Sequence, residues 1–496
     1  MMSNDFLVQK KDACYTDDTK EKFMSRRLVR YFNFMAKIIR ILITKGEYTE
    51  REFQSILNDK ESQTYQNLAD KVPLIFERNI AMGAIGSFQL QDLNEHFFEC
   101  LEKVVTEGSI YELMLLLYYM DRAIINCYFT MSNFEDESIP IEALNSNQQE
   151  NQIFLMRKTK CKWAPTKIGS GISELLYYFY YVDMENISEM SIKNFVLDPN
   201  LIGGIARKSL RIAISPITQK RVVEFSKPYE RKNEITGAKQ KYFRVEKVND
   251  EKELLEKIVD NIFAAAEKNV DILVFPEMLG TENMLTEVLE RLGKEVEKSA
   301  PTLLVFPSIW CKTDNDKMNS NRSCVILNGE EVLFEQYKRC DYRYKDDNEA
   351  LVYEDINRNR EENNIVNVIH VEGIGRICII ICFDYLAAES RERIMHNLYP
   401  TLVCSPSFST GSFAFLNLAG KYYSEGCNWV WCNTCSAMHE TKKEENFDVV
   451  GVITTLNKRC EIGEDLRKKF SGKNKCQKEN CKECIYYADI SLLATQ

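Results

Sequence analysis

The sequence predicts an α/β domain with mixed sheets over residues 206–496, preceded by a mainly α-helical region over residues 1–205. Three observations lead there. Beyond Leu210, apolar runs of strand length alternate with amphipathic stretches of helix length, the pattern of interleaved strands and helices. An Asn328-Gly329 pair between two such runs marks a hairpin, so a sheet has antiparallel neighbours. Before Leu210 the long patterned segments repeat at a helical period instead.

Within the first region, residues 20–45 place Phe23, Leu28, Tyr31, Phe32, Met35, Ile38, Ile39 and Leu42 on one helical stripe. Lys20, Lys22, Arg26, Arg27, Arg30, Lys37 and Arg40 fill much of the rest, which reads as a solvated face rather than a nucleic-acid or membrane surface. Residues 93–106 and 109–129 read as further helices. Residues 133–152 are polar and acidic, include Pro140, and read as a loop or linker. The aromatic run at 175–184 is either core or a seam between two parts of the chain. No motif here carries chemistry.

From Leu210 the elements follow closely. Strands fit residues 210–215, 271–275, 302–306, 323–327, 332–336, 365–371, 376–382, 402–405, 429–433, 449–456 and 485–490. Helices fit residues 251–268, 281–297, 390–397 and 417–425. Residues 220–242 and 312–320 read as loops.

Composition bounds the function. The chain has 496 residues, 45% hydrophobic and 28% charged, as expected of a globular protein with a sizeable core. A formal net charge of −10 disfavours a broad nucleic-acid or anionic-membrane surface. Seventeen cysteines without an apolar leader in residues 1–11 imply a reducing compartment, the cytoplasm. The apolar stretch 113–120 is too short to span a membrane and runs into Asp121 and Arg122.

Three strand ends carry reactive residues. The β-branched run 377–381 stops at Cys382, where better helix formers soon follow. A thiol on a tight strand-to-helix turn gains from N–H dipoles that point the same way. Glu277 closes the strand at 271–275 and has the chemistry of a general base. Lys338 closes the hairpin and supplies a fixed positive charge, which lowers the thiol pKa and stabilises an oxyanion together with the Phe383 N–H. Arg339 is the other basic residue there, but arginine cannot give up a proton, so lysine is preferred. Asp384 reads as structural, bonding backbone at the turn.

These stretches resemble a known family. Asp271-Ile-Leu-Val-Phe-Pro-Glu277 is similar to the strand that delivers the catalytic glutamate in the nitrilase, or carbon–nitrogen hydrolase, superfamily. Asn321-Arg-Ser-Cys-Val-Ile-Leu-Asn-Gly329, continuing to Phe334-Glu-Gln-Tyr-Lys338, resembles the hairpin ending in that family's lysine. Ile381-Cys-Phe-Asp-Tyr-Leu-Ala-Ala-Glu389 resembles its nucleophile elbow, although Leu386-Ala387-Ala388 stands where the family often has Arg-Phe-Pro. Leu402-Val-Cys-Ser-Pro-Ser407, residues 419–435 and Tyr486-Tyr-Ala-Asp-Ile490 resemble later segments, so the likeness covers residues 208–492. The resemblance implies a four-layer α-β-β-α sandwich and a Glu277-Lys338-Cys382 triad. It implies hydrolysis of a non-peptide C–N bond in an amide or carbamoyl compound, nitriles included, through a Cys382 thioester. No cofactor is implied, and pairing into a homodimer through the sandwich is. Glu354, or else Glu349, is the candidate second carboxylate that orients the amine and assists the hydrolytic water, and a solvated loop carboxylate is the other reading.

Cys460, Cys476, Cys481 and Cys484 form a separate group in a Lys-rich insertion, with His439 as an added ligand candidate for zinc. The missing second Cys-x-x-Cys favours loose thiols over a metal site. A rival reading of the whole chain is a repurposed sensor or scaffold, whose helical region binds a protein partner in a defence or signalling assembly.

Overall fold

A computed structural model of the chain describes residues 26–45, 50–73, 92–124, 152–159, 161–163, 172–185, 190–233, 237–294, 300–311, 319–358, 360–441, 447, 449–455 and 483–492. Two sheets stack face to face in its larger part. In the first, Ser209–Ile214, Ile272–Val274 and Leu303–Val305 run parallel. Antiparallel Tyr486–Ser491 flanks them on one side, and the hairpin Ser320–Leu327 and Glu331–Tyr337, with Ile309–Cys311, on the other. In the second, Gly375–Ile379, Leu402–Pro406 and Asn428–Cys432 run parallel. Gly451–Ile453 closes one edge; Ile365–Val371 and then Ser191–Leu197 close the other.

Period-two alternation explains the layering. Leu303 and Val305 face the second sheet, where they meet Ile369, Ile379, Cys404 and Val430; Leu304 faces outward. The outward face is covered by the amphipathic helices Glu251–Glu267 and Glu282–Lys294. The outer face of the second sheet is covered by Ala388–Leu398 and Phe413–Ser424. The order is α-β-β-α. Strands buried on both sides are mostly apolar, and Gly375–Ile379 is buried at every position; its one charged side chain, Arg376, donates to the Leu398 and Tyr399 carbonyls at 2.8 and 2.9 Å.

The N-terminal part builds its own core from Arg26–Lys45, Glu50–Asn58, Gln63–Lys71, Glu95–Glu107 and Ile110–Ala123. Ile110–Ala123 starts at a capping box, in which Ser109 and Glu112 satisfy each other's backbone N–H. The basic face of the first helix is engaged by acids within the chain. Arg30 pairs with Glu95 at 2.8 Å, Lys37 with Glu102 at 2.8 Å and Arg40 with Asp183 at 2.7 Å.

Two features differ from the helical reading of residues 1–205. The aromatic run forms a strand, Phe179–Asp183, antiparallel to Ile153–Arg157. Its alternation serves two cores at once: Ile153, Leu155 and Phe179 join the helical core, while Met156, Tyr180 and Val182 pack on the second sheet's outer face. Further on, Ser191–Leu197 pairs in parallel with Ile365–Val371 as an edge strand of the sandwich. Aromatic and β-branched side chains suit such pleated, half-covered surfaces. Residues 220–242 also hold strands rather than loop alone. Tyr229–Lys232 and Lys239–Phe243 join Leu351–Glu354 and Arg343–Lys345 in a small four-stranded sheet.

Among the described residues no helix is long and apolar enough to cross a membrane. Cys460, Cys476 and Cys481 lie outside the described residues, as do residues 312–318 and most of the linker at 133–152. Cys484 is buried in the apolar core beneath the first sheet's helices, and His439 lies against the Gln219 carbonyl at 2.8 Å. No trio of His, Cys, Asp or Glu side chains among the described residues is placed to hold a metal ion.

One buried carboxylate ties the start of Phe179–Asp183 to the helices. Asp121, with no exposed surface, accepts the N–H groups of Tyr177, Tyr178 and Phe179 at 2.8–3.1 Å. Asp121→Ala strands these donors, so we expect a loss of about 3 kcal/mol in urea unfolding. Glu185→Ala, which removes an exposed partner of Arg40, should leave the midpoint nearly unchanged. Equal effects of the two substitutions would contradict this role for Asp121.

Candidate active site

Ile272–Val274 and Glu331–Tyr337 in the first sheet and Gly375–Ile379 in the second bring their C-terminal ends to one place. Cys382 lies just beyond Gly375–Ile379 and opens the short helix Phe383–Leu386. Its backbone has φ +44° and ψ −107°, a conformation that a β-carbon makes costly. The surroundings hold it there: the Cys382 N–H donates to Pro406 O at 2.9 Å, and the Tyr385 N–H donates to Cys382 O at 3.0 Å. Glu277 follows Ile272–Val274 in the other sheet, and its N–H donates to Ser407 O at 3.3 Å. Residues 406–408 are therefore the seam that brings a thiol from one sheet beside a carboxylate from the other.

All four charged or nucleophilic groups are withdrawn from water: Cys382 is 5% exposed, Lys338 1%, Glu354 1% and Glu277 0%. The Lys338 ammonium donates to Glu277 Oε1 at 2.8 Å and to Glu354 Oε2 at 2.6 Å. The Asn321 amide nitrogen bridges the same two carboxylates, at 2.8 Å to Glu277 and 3.3 Å to Glu354. The Phe408 N–H donates to Glu277 Oε2 at 2.9 Å, and the Tyr342 N–H to Glu354 Oε2 at 3.0 Å. A carboxylate accepts about four hydrogen bonds. Glu277 has three of its acceptor sites occupied, which leaves one free, while the Cys382 Sγ lies 4.0 Å from the Phe408 carbonyl oxygen.

The electrostatics correct one expectation. A lone lysine would lower the thiol pKa, yet burial and the Glu277 charge push the Cys382 thiol well up, against the opposing pull of Lys338. Lys338 cannot do more because two carboxylates already balance it. Burial disfavours the Lys338 ammonium, but the charges of Glu277 and Glu354 outweigh burial and hold its pKa well above the ordinary lysine range. Glu354 is shifted up by burial, with Lys338 opposing and Glu277 reinforcing. The resting pair is thus a thiol beside a carboxylate.

Asp384 holds the lysine's backbone rather than its own turn. It accepts the Arg339 N–H at 2.9 Å and the Cys340 N–H at 2.6 Å, just past Lys338. Burial raises its pKa to about 6. Glu349, the other candidate second carboxylate, sits on an exposed turn paired with Lys345 at 2.7 Å, away from the lysine that Glu354 contacts. The sequence assigns no role to Asn321 or to Ser308, whose hydroxyl donates to Asn321 Oδ1 at 2.7 Å. Their signal is faint, since polar residues inside otherwise apolar strands need a partner to be buried.

The thiol's raised pKa has a direct readout. Alkylation of Cys382 by iodoacetamide, followed by peptide mass spectrometry, should still accelerate above about pH 9, the ordinary thiol range. Glu277→Gln removes the adjacent charge and should move the inflection down. A rate that levels off below neutral pH would mean a resting thiolate instead.

No protein-family model matches the chain, and no curated protein matches it. Among solved structures, the C. elegans NitFhit protein is similar over 57% of this chain and 61% of that one, at 14% identity and a TM-score of 0.34. Saccharomyces cerevisiae Nit3, a member of branch 10 of the nitrilase superfamily, is similar over 57% of this chain and 90% of its own, at 12% identity and a TM-score of 0.35. An amidase of the nitrilase superfamily from Nesterenkonia is similar over 57% of this chain and 90% of its own, at 15% identity and a TM-score of 0.37.

Proposed function

We propose that this protein hydrolyses a non-peptide C–N bond, in an amide or carbamoyl compound, through a thioester on Cys382. The observation that carries the reading is the buried junction of thiol, carboxyl and ammonium groups: Lys338 lies 2.8 Å from Glu277, and the charges of both act on the buried Cys382 thiol. A scaffold gains nothing from a thiol held at a strained φ beside a buried glutamate.

The chemistry follows from the protonation states. Glu277 accepts the thiol proton as sulfur attacks the carbonyl carbon. The carbonyl oxygen becomes an oxyanion, stabilised by the Lys338 ammonium and the Phe383 N–H. Glu277 then passes its proton to the leaving nitrogen, the C–N bond breaks, and ammonia or an amine departs. Water next loses a proton to Glu277 and attacks the thioester, with Glu354 orienting it. Collapse releases the carboxylic acid, and the proton on Glu277 returns to the Cys382 sulfur. Atoms balance: one amide and one water give one acid and one amine.

A raised thiol pKa fits this scheme, because base-assisted attack needs no standing thiolate. The charge cluster also limits how variants are read. Removing one member of a buried ion pair destabilises by about 3–5 kcal/mol, so each variant has to be checked for folding by circular dichroism.

The test is ammonia release from a panel of primary amides. Cys382→Ala should abolish it, and Glu277→Gln should lower kcat about a hundredfold or more. Lys338→Ala should lose about two to three orders of magnitude. Lys338→Arg should rescue little, because a planar fork cannot replace a compact ammonium between two carboxylates. Turnover that survives Cys382→Ala in a folded protein would sink the proposal.

A further inference from the structure

The small sheet that delivers Glu354 also delivers aromatic rings. Glu354 pairs directly with Phe243 across the parallel ladder of Leu351–Glu354 and Lys239–Phe243, so their side chains leave the sheet on the same face. Phe243 therefore looks where Glu354 looks. Its ring lies 6.4 Å from Tyr342 and 5.9 Å from Phe225. Tyr342 in turn lies 5.8 Å from Phe383, the residue after the nucleophile. Phe225 lies 5.5 Å from Phe408, whose carbonyl oxygen is 4.0 Å from Cys382 Sγ. The rings Phe408, Phe225, Phe243, Tyr342 and Phe383 thus form an unbroken arc, whose first residue places its carbonyl beside the thiol and whose last follows Cys382 in the chain. Phe243 is buried, Tyr342 is 38% exposed, and the others are intermediate, as expected of a wall that faces an entrance.

The charge beneath the arc matters as much. Two carboxylates face one ammonium, so the floor carries an excess negative charge when both are ionised. A carboxylate on the substrate's acyl group would meet that charge in a poorly hydrated place. A flat apolar group would instead lie against rings that prefer edge-to-face or offset contacts.

We propose that the aromatic arc selects amides whose acyl group carries an aryl or similarly planar apolar end, and rejects acyl groups that carry a carboxylate. Tyr342 and Phe243 are the specificity-determining residues. The inference rests on the reading of Cys382 as an acyl-transfer nucleophile.

The test compares phenylacetamide, acetamide and succinamate as substrates of the full chain, by ammonia release. Phenylacetamide should exceed acetamide in kcat/KM by at least about tenfold, the usual discrimination of an apolar pocket. Succinamate should be the poorest of the three. Tyr342→Leu and Phe243→Leu keep apolar bulk and leave the backbone donor to Glu354 in place. Each should lower the phenylacetamide-to-acetamide ratio of kcat/KM by about five- to tenfold. A ratio near one in the wild type, a ratio that neither variant moves, or a preference for succinamate would overturn the inference while leaving the hydrolase reading standing. If no amide is hydrolysed, the hydrolase reading fails, and calorimetric binding to the Cys382→Ala protein decides the arc separately. Saturable binding of phenylacetamide that Tyr342→Leu weakens supports it, and absence of such binding overturns it.

Discussion

An ammonium group enclosed in protein must be neutralised where it stands, and the Lys338 ammonium is neutralised by Glu277 at 2.8 Å and Glu354 at 2.6 Å. Much of the local architecture serves that requirement. Asn321 bridges the two acids, Ser308 orients Asn321, Phe408 and Tyr342 donate backbone N–H groups, and Asp384 pins the chain just past the lysine. The ligands come from both sheets of the sandwich and from the small four-stranded sheet, so the cluster forms only when all three are assembled. Such a cluster adds little net stability, since desolvation offsets attraction, but it leaves a single arrangement in which every charge is met.

That arrangement decides the state of the nucleophile. Burial favours the neutral sulfur and the Glu277 charge opposes a thiolate, and together they outweigh the pull of a lysine that two carboxylates already share. In the proposed reaction, activation depends on Glu277 as proton acceptor and on a turn that holds Cys382 at φ +44°. The strain is sustained by ordinary hydrogen bonds from the neighbouring strand, whose own continuation, residues 406–408, also positions Glu277. Nucleophile and base are set by one seam.

Much of this was legible in the sequence, for a physical reason. Glu277 and Cys382 each end an apolar run, and a polar residue at the end of a strand covered on both faces has few places to go except the sheet's rim; Lys338 ends the more polar Glu331–Tyr337 and is marked instead by the Asn328-Gly329 hairpin before it. The strand at 365–371 was legible to the residue for the same reason. Other features depend on partners far away in the chain. Phe179–Asp183 pairs with Ile153–Arg157, and Ser191–Leu197 pairs with Ile365–Val371, so local pattern carries little sign of either. The choice between Glu349 and Glu354 turned on which residue closes a strand of the small sheet and which occupies its exposed turn. The sequence names Glu277, Lys338 and Glu354 and gives the direction of the lysine's pull on the thiol, but the burial and distances that let the opposing effects win are set only in three dimensions.

The account stands on a covalent step at one sulfur, and rapid-quench mass spectrometry tests it most directly. Full-length protein mixed with excess primary amide and quenched in acid should gain the mass of the acyl group, with ammonia released in the same burst. Peptide mapping should place that mass on Cys382 and on none of the other cysteines. Ammonia release with no acyl-enzyme at any quench time, or acylation mapped to Cys340 or Cys378, would contradict the account.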